Sequence, residues 1–215
     1  VGHPLLDDLA PEVGEEAFRA ELGALPSQRI VGLLPGSRRG ELAAHGDVLL
    51  ETGRRLRERH PEVLPVLALA PGLSESACDP AKLAHVRVVR GRTHAVQAHA
   101  ACCAVASGTA TLETALFGTP LAIVYRVGWI NHLIARRVVK LTHIGLPNIV
   151  AGREVAPELL QRGLSVERLT ATLGRWLADP AEAARARAGL AVVRERLGGP
   201  GASAAAASLL WEMVA

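Results

Sequence analysis

Five mostly apolar runs of strand length are separated by longer stretches with helical patterning: Ile30 to Leu34, Leu64 to Leu69, Val86 to Arg90, Cys102 to Ala106 and Leu121 to Tyr125. The helical stretches cover about Gly40 to Arg59, Thr93 to Ala101, Thr109 to Phe117 and Gly128 to Lys140. Runs that stay apolar at successive positions suit strands buried on both faces, and the helices between them supply the cover. The alternation therefore predicts an α/β domain, a Rossmann-like parallel sheet with helices on both faces. His60-Pro61 and Gly118-Thr119-Pro120 fall where such a chain turns back.

After about Asn148 the pattern becomes helical: Ala156 to Gln161, Val166 to Ala178, Ala181 to Leu197 and Ala202 to Val214, divided by Asp179-Pro180 and Gly198-Gly199-Pro200-Gly201. The expected organisation is an inter-domain linker and the start of the domain over 1–28, the sheet domain over 29–155, and a helical C-terminal tail over 156–215. A chain of 215 residues suffices for one such domain with a full core and appended helices. The opening "VGHPLLDD" lacks an initiator Met, which suggests a fragment of a longer product.

Lys and Arg exceed Asp and Glu by three, 24 against 21, and nearly all the positive charge is arginine. Arginine favours planar, bidentate contacts to phosphate or carboxylate. The excess is too small and dispersed for a nucleic-acid surface, and 3% aromatic residues leave little to stack on bases. Cys78, Cys102 and Cys103 are odd in number and show no CxxC or Cys/His spacing, so they indicate neither a disulfide framework nor a zinc site and fit a reducing cytoplasm. The eight histidines show no HExxH spacing, and no apolar run reaches transmembrane length.

In a doubly wound sheet, ligands sit beyond the carboxyl ends of the strands. Two of those ends are unusual here. After the first strand, Pro35-Gly36-Ser37-Arg38 combines a glycine that permits close backbone approach, a hydroxyl, a guanidinium and the N–H groups of the next helix. No Gly-Lys-Ser/Thr follows, so this is not a Walker A loop, and a plain turn with a solvated arginine fits the same residues. After the fourth strand, Ser107-Gly108-Thr109 suits an anion, and Glu113 lies about one turn on, within reach of a sugar's hydroxyls. Alternatively, Ser107 or Thr109 is an N-cap and Glu113 a partner of the helix dipole. Two such turns on one sheet edge favour a nucleoside diphosphate between them. The loop Gly145 to Glu154 adds Asn148, Arg153 and Glu154, with Asn148 also fit to bond its own backbone in a turn. The basic amphipathic segment Gly128 to Lys140 suits either a packed helix or a membrane surface.

In order along the chain, "VGHPL", "LLPGSRRGEL", "ASGTATLETALFGTPLAIVYR", "LPNIVAGREVAPELLQ" and "LGGPGASAAAA" resemble the C-terminal half of the lipid-A-disaccharide synthase family, glycosyltransferases of the GT-B type. The resemblance spans essentially the whole chain. It implies two Rossmann-like domains in the full enzyme, with the donor bound mainly by the C-terminal one. The implied reaction moves 2,3-diacylglucosamine from its UDP form to 2,3-diacylglucosamine 1-phosphate, releasing UDP. By the same resemblance Arg38 and Ser37, with Gly36, hold the diphosphate, Ser107, Gly108 and Thr109 the phosphates, and Glu113 the ribose, while Asn148 is an active-site residue. No metal or cofactor is implied, since the UDP-sugar is a substrate. The general base and most acyl and acceptor contacts are expected in the N-terminal domain, so this chain alone should bind UDP weakly and catalyse little. A cytoplasmic enzyme peripheral to the inner membrane, with a homodimer among its assemblies, is the implied setting. The rival readings are a UDP-GlcNAc 2-epimerase, the GlcNAc transferase of peptidoglycan synthesis, and a non-catalytic nucleotide-binding module.

Overall fold

The computed structural model describes residues 2–126 and 143–214. Two helices, α1 (Leu5–Asp8) and α2 (Glu15–Leu22), lead into β1 (Arg29–Leu34), α3 (Arg39–Arg59), β2 (Val63–Leu69), α4 (Pro80–Leu83), β3 (Arg87–Arg90), α5 (Thr93–His99), β4 (Cys102–Ala106), α6 (Thr109–Leu116) and β5 (Leu121–Tyr125). The remainder holds α7 (Leu146–Ala151), β6 (Glu158–Leu160), α8 (Val166–Ala178), α9 (Pro180–Leu197) and α10 (Ala202–Val214). The strands pair in parallel in the order β3-β2-β1-β4-β5-β6. The chain runs outward from β1 to β3, then returns to place β4 on the other side of β1, so the order reverses between β1 and β4. Their carboxyl ends flank the crevice where such sheets bind ligands.

Strand alternation splits the core into two faces. Val31 and Leu33 of β1 pack with Leu42, Leu49, Leu50 and Leu56 of α3, whereas Ile30 and Leu34 pack with Phe18, Val96 and Leu112 on the opposite face. A Cβ on Gly32 would lie 2.6 Å from Cys103 Sγ and 2.7 Å from Val96 Cγ1, so glycine lets β4 and α5 close on the middle of β1. Cys102 and Cys103 are both fully buried, one on each face. Burial pushes the Cys102 thiol up to about 12 and the Cys103 thiol well above its ordinary value, which makes both inert core residues.

Two stretches differ from the sequence expectations. Residues 156–161, expected to be helical, instead carry the sixth strand, whose register pairs Ile123 with Glu158 and Tyr125 with Leu160. Three residues with one core side chain, Leu159, are too few to show a period, and Glu and Leu favour helices by propensity. The sheet thus runs on past residue 155. The 145–154 stretch, expected to be a loop, contains α7, in which Pro147 occupies the first turn, where its missing N–H costs no hydrogen bond. Within 1–28, expected to hold a linker and the start of the domain, α2 buries Phe18 and Leu22 in the core. The chain from Val166 on is helical, as the sequence pattern indicates: α8 buries Leu169, Leu173, Trp176 and Leu177, and α9 buries Leu190 and Val193. Only α10 leaves Leu209, Leu210, Trp211 and Met213 exposed, and Asp7 caps its start by accepting N–H bonds from Gly201, Ala202 and Ser203 at 2.6, 3.2 and 3.0 Å. The Ser203 side chain and, after it, these backbone bonds hold the Asp7 carboxyl at about 2. The predicted helix Gly128 to Lys140 lies outside the described residues.

Candidate functional site

The turn after β1 is built around a carboxylate. Gly36 has φ +108°, and a Cβ there would collide with Glu41 Oε2. Glu41, at the third position of α3, reaches back so that Oε2 accepts the N–H groups of Ser37 and Arg38 at 2.8 and 3.2 Å. Its Oε1 accepts Arg38 Nη1 at 2.9 Å. Arg38 keeps 82% of its side chain exposed, so beyond this one bond its guanidinium is open to a ligand.

The turn after β4 is built differently. Gly108 occupies the N-cap of α6, no side chain caps that end, and the first turn holds no acidic residue. Ser107 and Thr109 are therefore not the cap, and Glu113 is not the dipole partner. Instead Gly108, Thr109 and Ala110, which open α6, line the crevice, and the start of a helix favours an anion. Ser107 donates its N–H to Val124 at 2.9 Å and its hydroxyl to the Ile144 carbonyl at 3.5 Å. Glu113, 15% exposed, accepts a bond from Gln97 Nε2 at 3.2 Å through Oε2.

Both turns line one cleft of roughly 330 Å3 at the β1/β4 reversal, large enough for a small ligand. Gly36, Ser37, Arg38, Ser107, Gly108, Thr109 and Glu113 all border it. So do Glu41, Thr93 and the end of β2 at Ala68 and Ala70, which the sequence did not single out. Glu41 was legible as a capping partner three residues after Arg38. Thr93 gave no signal beyond opening a helix after a strand.

Asn148 is not brought to this cleft. It is fully buried, and its amide is saturated: Nδ2 donates to Ala156 O at 2.7 Å and Glu158 Oε1 at 2.8 Å, while Oδ1 accepts from Val155 and Ala156 N–H at 2.8 and 2.9 Å. Glu158 in turn accepts the N–H groups of Ile144, at 3.1 Å, and Gly145, at 2.9 Å. Asn148 therefore holds the segment whose Ile144 carbonyl meets Ser107, one shell behind the cleft. Arg153 and Glu154 are exposed and do not line the cleft. Among the described residues no group of three or more His, Cys, Asp or Glu side chains is arranged to hold a metal ion. No described helix is long and apolar enough to cross a membrane.

His45 of α3 fixes the spacing behind the cleft. It is 1% exposed, and its Nε2 accepts the Arg126 N–H at 3.0 Å, so Nδ1 carries the proton and donates to the Pro35 carbonyl at 3.0 Å. Burial lowers its pKa below the ordinary 6.5, with the Arg126 charge adding to the effect and the Pro35 bond opposing it. A depressed folded pKa contributes stability that is present above the unfolded value and is lost as pH falls from about 6.5 toward the folded value. The urea midpoint is thus expected to drop as pH is lowered from about 7 to about 5, with His45→Gln flattening that slope. Parallel slopes in both proteins would remove this role.

The strand order and the cleft at its reversal make this a doubly wound, Rossmann-like domain, and solved GT-B glycosyltransferases share its fold. Among solved structures, a calicheamicin glycosyltransferase superposes with a TM-score of 0.57 at 21% identity, covering 89% of this chain and 44% of that one. A UDP-GlcNAc 2-epimerase from Neisseria meningitidis, bound to UDP-GlcNAc, does so with 0.57 at 12% identity, covering 92% and 48%. At these identities the likeness is one of fold. Sequence is more specific. The family model described as lipid-A-disaccharide synthetase matches residues 1–200, and the lipid-A-disaccharide synthase of Geobacter sulfurreducens is 42% identical over 217 aligned residues. The chain belongs to the lipid-A-disaccharide synthase family. The alignment takes in all of this chain and 56% of that relative's length.

Proposed function

We propose that this chain is the donor-binding part of a lipid-A-disaccharide synthase and holds UDP-2,3-diacylglucosamine across the β1/β4 crevice. The observation that carries this reading is the convergence of the two small polar turns on one cleft. In it the Arg38 guanidinium and Ser37 hydroxyl take the diphosphate, the open α6 amides take a phosphate oxygen, and Glu113 accepts a ribose hydroxyl. As the glycosidic bond breaks, charge builds on the departing UDP, and the arginine and helix amides are aimed at that charge. The acceptor, 2,3-diacylglucosamine 1-phosphate, attacks through a hydroxyl that needs a general base. In this reading that base and most acyl-chain contacts come from the rest of the full-length enzyme, which makes lipid A disaccharide 1-phosphate at the cytoplasmic face of the inner membrane. Asn148 serves this site as a support for the 144–148 segment and not as a group on the substrate.

Calorimetric titration with UDP tests the reading. Saturable binding is expected, with Arg38→Ala and Glu113→Ala each weakening it by about tenfold or more, as befits hydrogen bonds to charged groups. Identical isotherms for wild type and both variants would show that the nucleotide is not held here. Product analysis with the complete enzyme separates the transferase from an epimerase of the same fold, since only the former yields a lipid disaccharide.

A further inference from the structure

Gln97 of α5 is wholly buried, and its neighbours fix which way its amide faces. The Ala110 carbonyl at 3.0 Å and Glu113 Oε2 at 3.2 Å are both acceptors, so the NH2 group points at them. That leaves Gln97 Oε1 buried with no hydrogen-bond partner among the described residues. An orphaned buried carbonyl is destabilising, and a methionine or leucine of similar size would avoid it. Nor does the Ala110 carbonyl depend on the amide, because Thr114 Oγ1 already donates to it at 2.7 Å. What the amide alone supplies is an N–H on Glu113 Oε2. His94 Nε2 stands 3.7 Å from the same oxygen, its Nδ1 meeting the Ala10 carbonyl at 3.1 Å. Glu113 Oε1 takes part in neither contact.

We propose that Gln97 is a positioning residue for ribose recognition: it pins Glu113 Oε2 from behind the cleft so that Oε1 is presented to a ribose hydroxyl of the bound nucleoside diphosphate. This rests on the proposed placing of UDP, with Glu113 at the ribose. Gln97 itself does not line the cleft, so its effect passes entirely through Glu113.

The test is calorimetric titration of the chain with UDP, 2′-deoxy-UDP and 3′-deoxy-UDP, with thermal melts alongside. Wild type is expected to favour UDP over at least one deoxy analogue by about tenfold, and Glu113→Ala to abolish the preference. Gln97→Met is expected to cut it to about threefold or less, leaving affinity for that analogue unchanged and Tm equal or higher. A merely structural amide would move Tm and all three affinities together. If Gln97→Met keeps the wild-type preference while Glu113→Ala loses it, the role of Gln97 falls and the ribose assignment stands. If wild type itself shows no preference, the ribose assignment fails and takes the proposal with it. Loss of folding in both Gln97→Met and Gln97→Leu also overturns the proposal, since the amide is then required by the fold.

Discussion

Asn148→Ala is expected to destabilise the protein by about 3–4 kcal/mol, the largest effect of any single substitution considered. The truncation strips partners from the Val155 and Ala156 N–H groups, the Ala156 carbonyl and Glu158, all at or near the core. Each buried group left unpaired costs on the order of 1–3 kcal/mol, partly recovered where water enters. For a chain of this size that corresponds to a fall in Tm of about 6–16 °C. Asn148→Asp should be no better, because it faces a carboxylate toward the Glu158 carboxylate. Thermal and urea denaturation read this directly. A variant with wild-type stability that nevertheless inactivates the complete enzyme would return Asn148 to the reacting groups.

Gly36→Ala should remove UDP binding more thoroughly than the loss of any one contact. Its φ of +108° strains an L-residue by about 1–3 kcal/mol, and the added Cβ occupies the space of the Glu41 carboxylate. Displacing Glu41 frees the Ser37 and Arg38 amides and loosens the turn that aims the guanidinium. The expected result is a loss of UDP affinity beyond about tenfold and a Tm lower by several degrees. Gly40→Ala is the control, since nothing lies within 4 Å of a Cβ there and the position is already helical. Equal behaviour of the two variants would mean that the turn's shape is not what matters.

The layered sheet was legible because β1, β2, β4 and β5 are buried on both faces, so their apolar character shows without regard to period. The sixth strand was not, since only Leu159 of its three residues reaches the core and its pairing with β5 is a fact of backbone hydrogen bonds. The two polar turns could be read as unusual, but their meeting depends on β4 returning to lie beside β1, which chain order alone does not reveal. Asn148 shows the converse. Its side chain looks free in a Pro-Asn turn motif, yet all its partners are backbone groups and a carboxylate seven to ten residues away. Gln97 gave no signal at all, because an amide inside "THAVQAH" is indistinguishable from a solvated one until α5 and α6 are packed together.

Glu41 gives the turn after β1 a resident anion. Its carboxylate occupies the Ser37 and Arg38 amides and one arm of the Arg38 guanidinium. The turn therefore holds its shape with no external anion, its inner donors already neutralised at short range. In the proposed reading a diphosphate meets a finished frame, and only the outer side of the guanidinium and the Ser37 hydroxyl are left to take it.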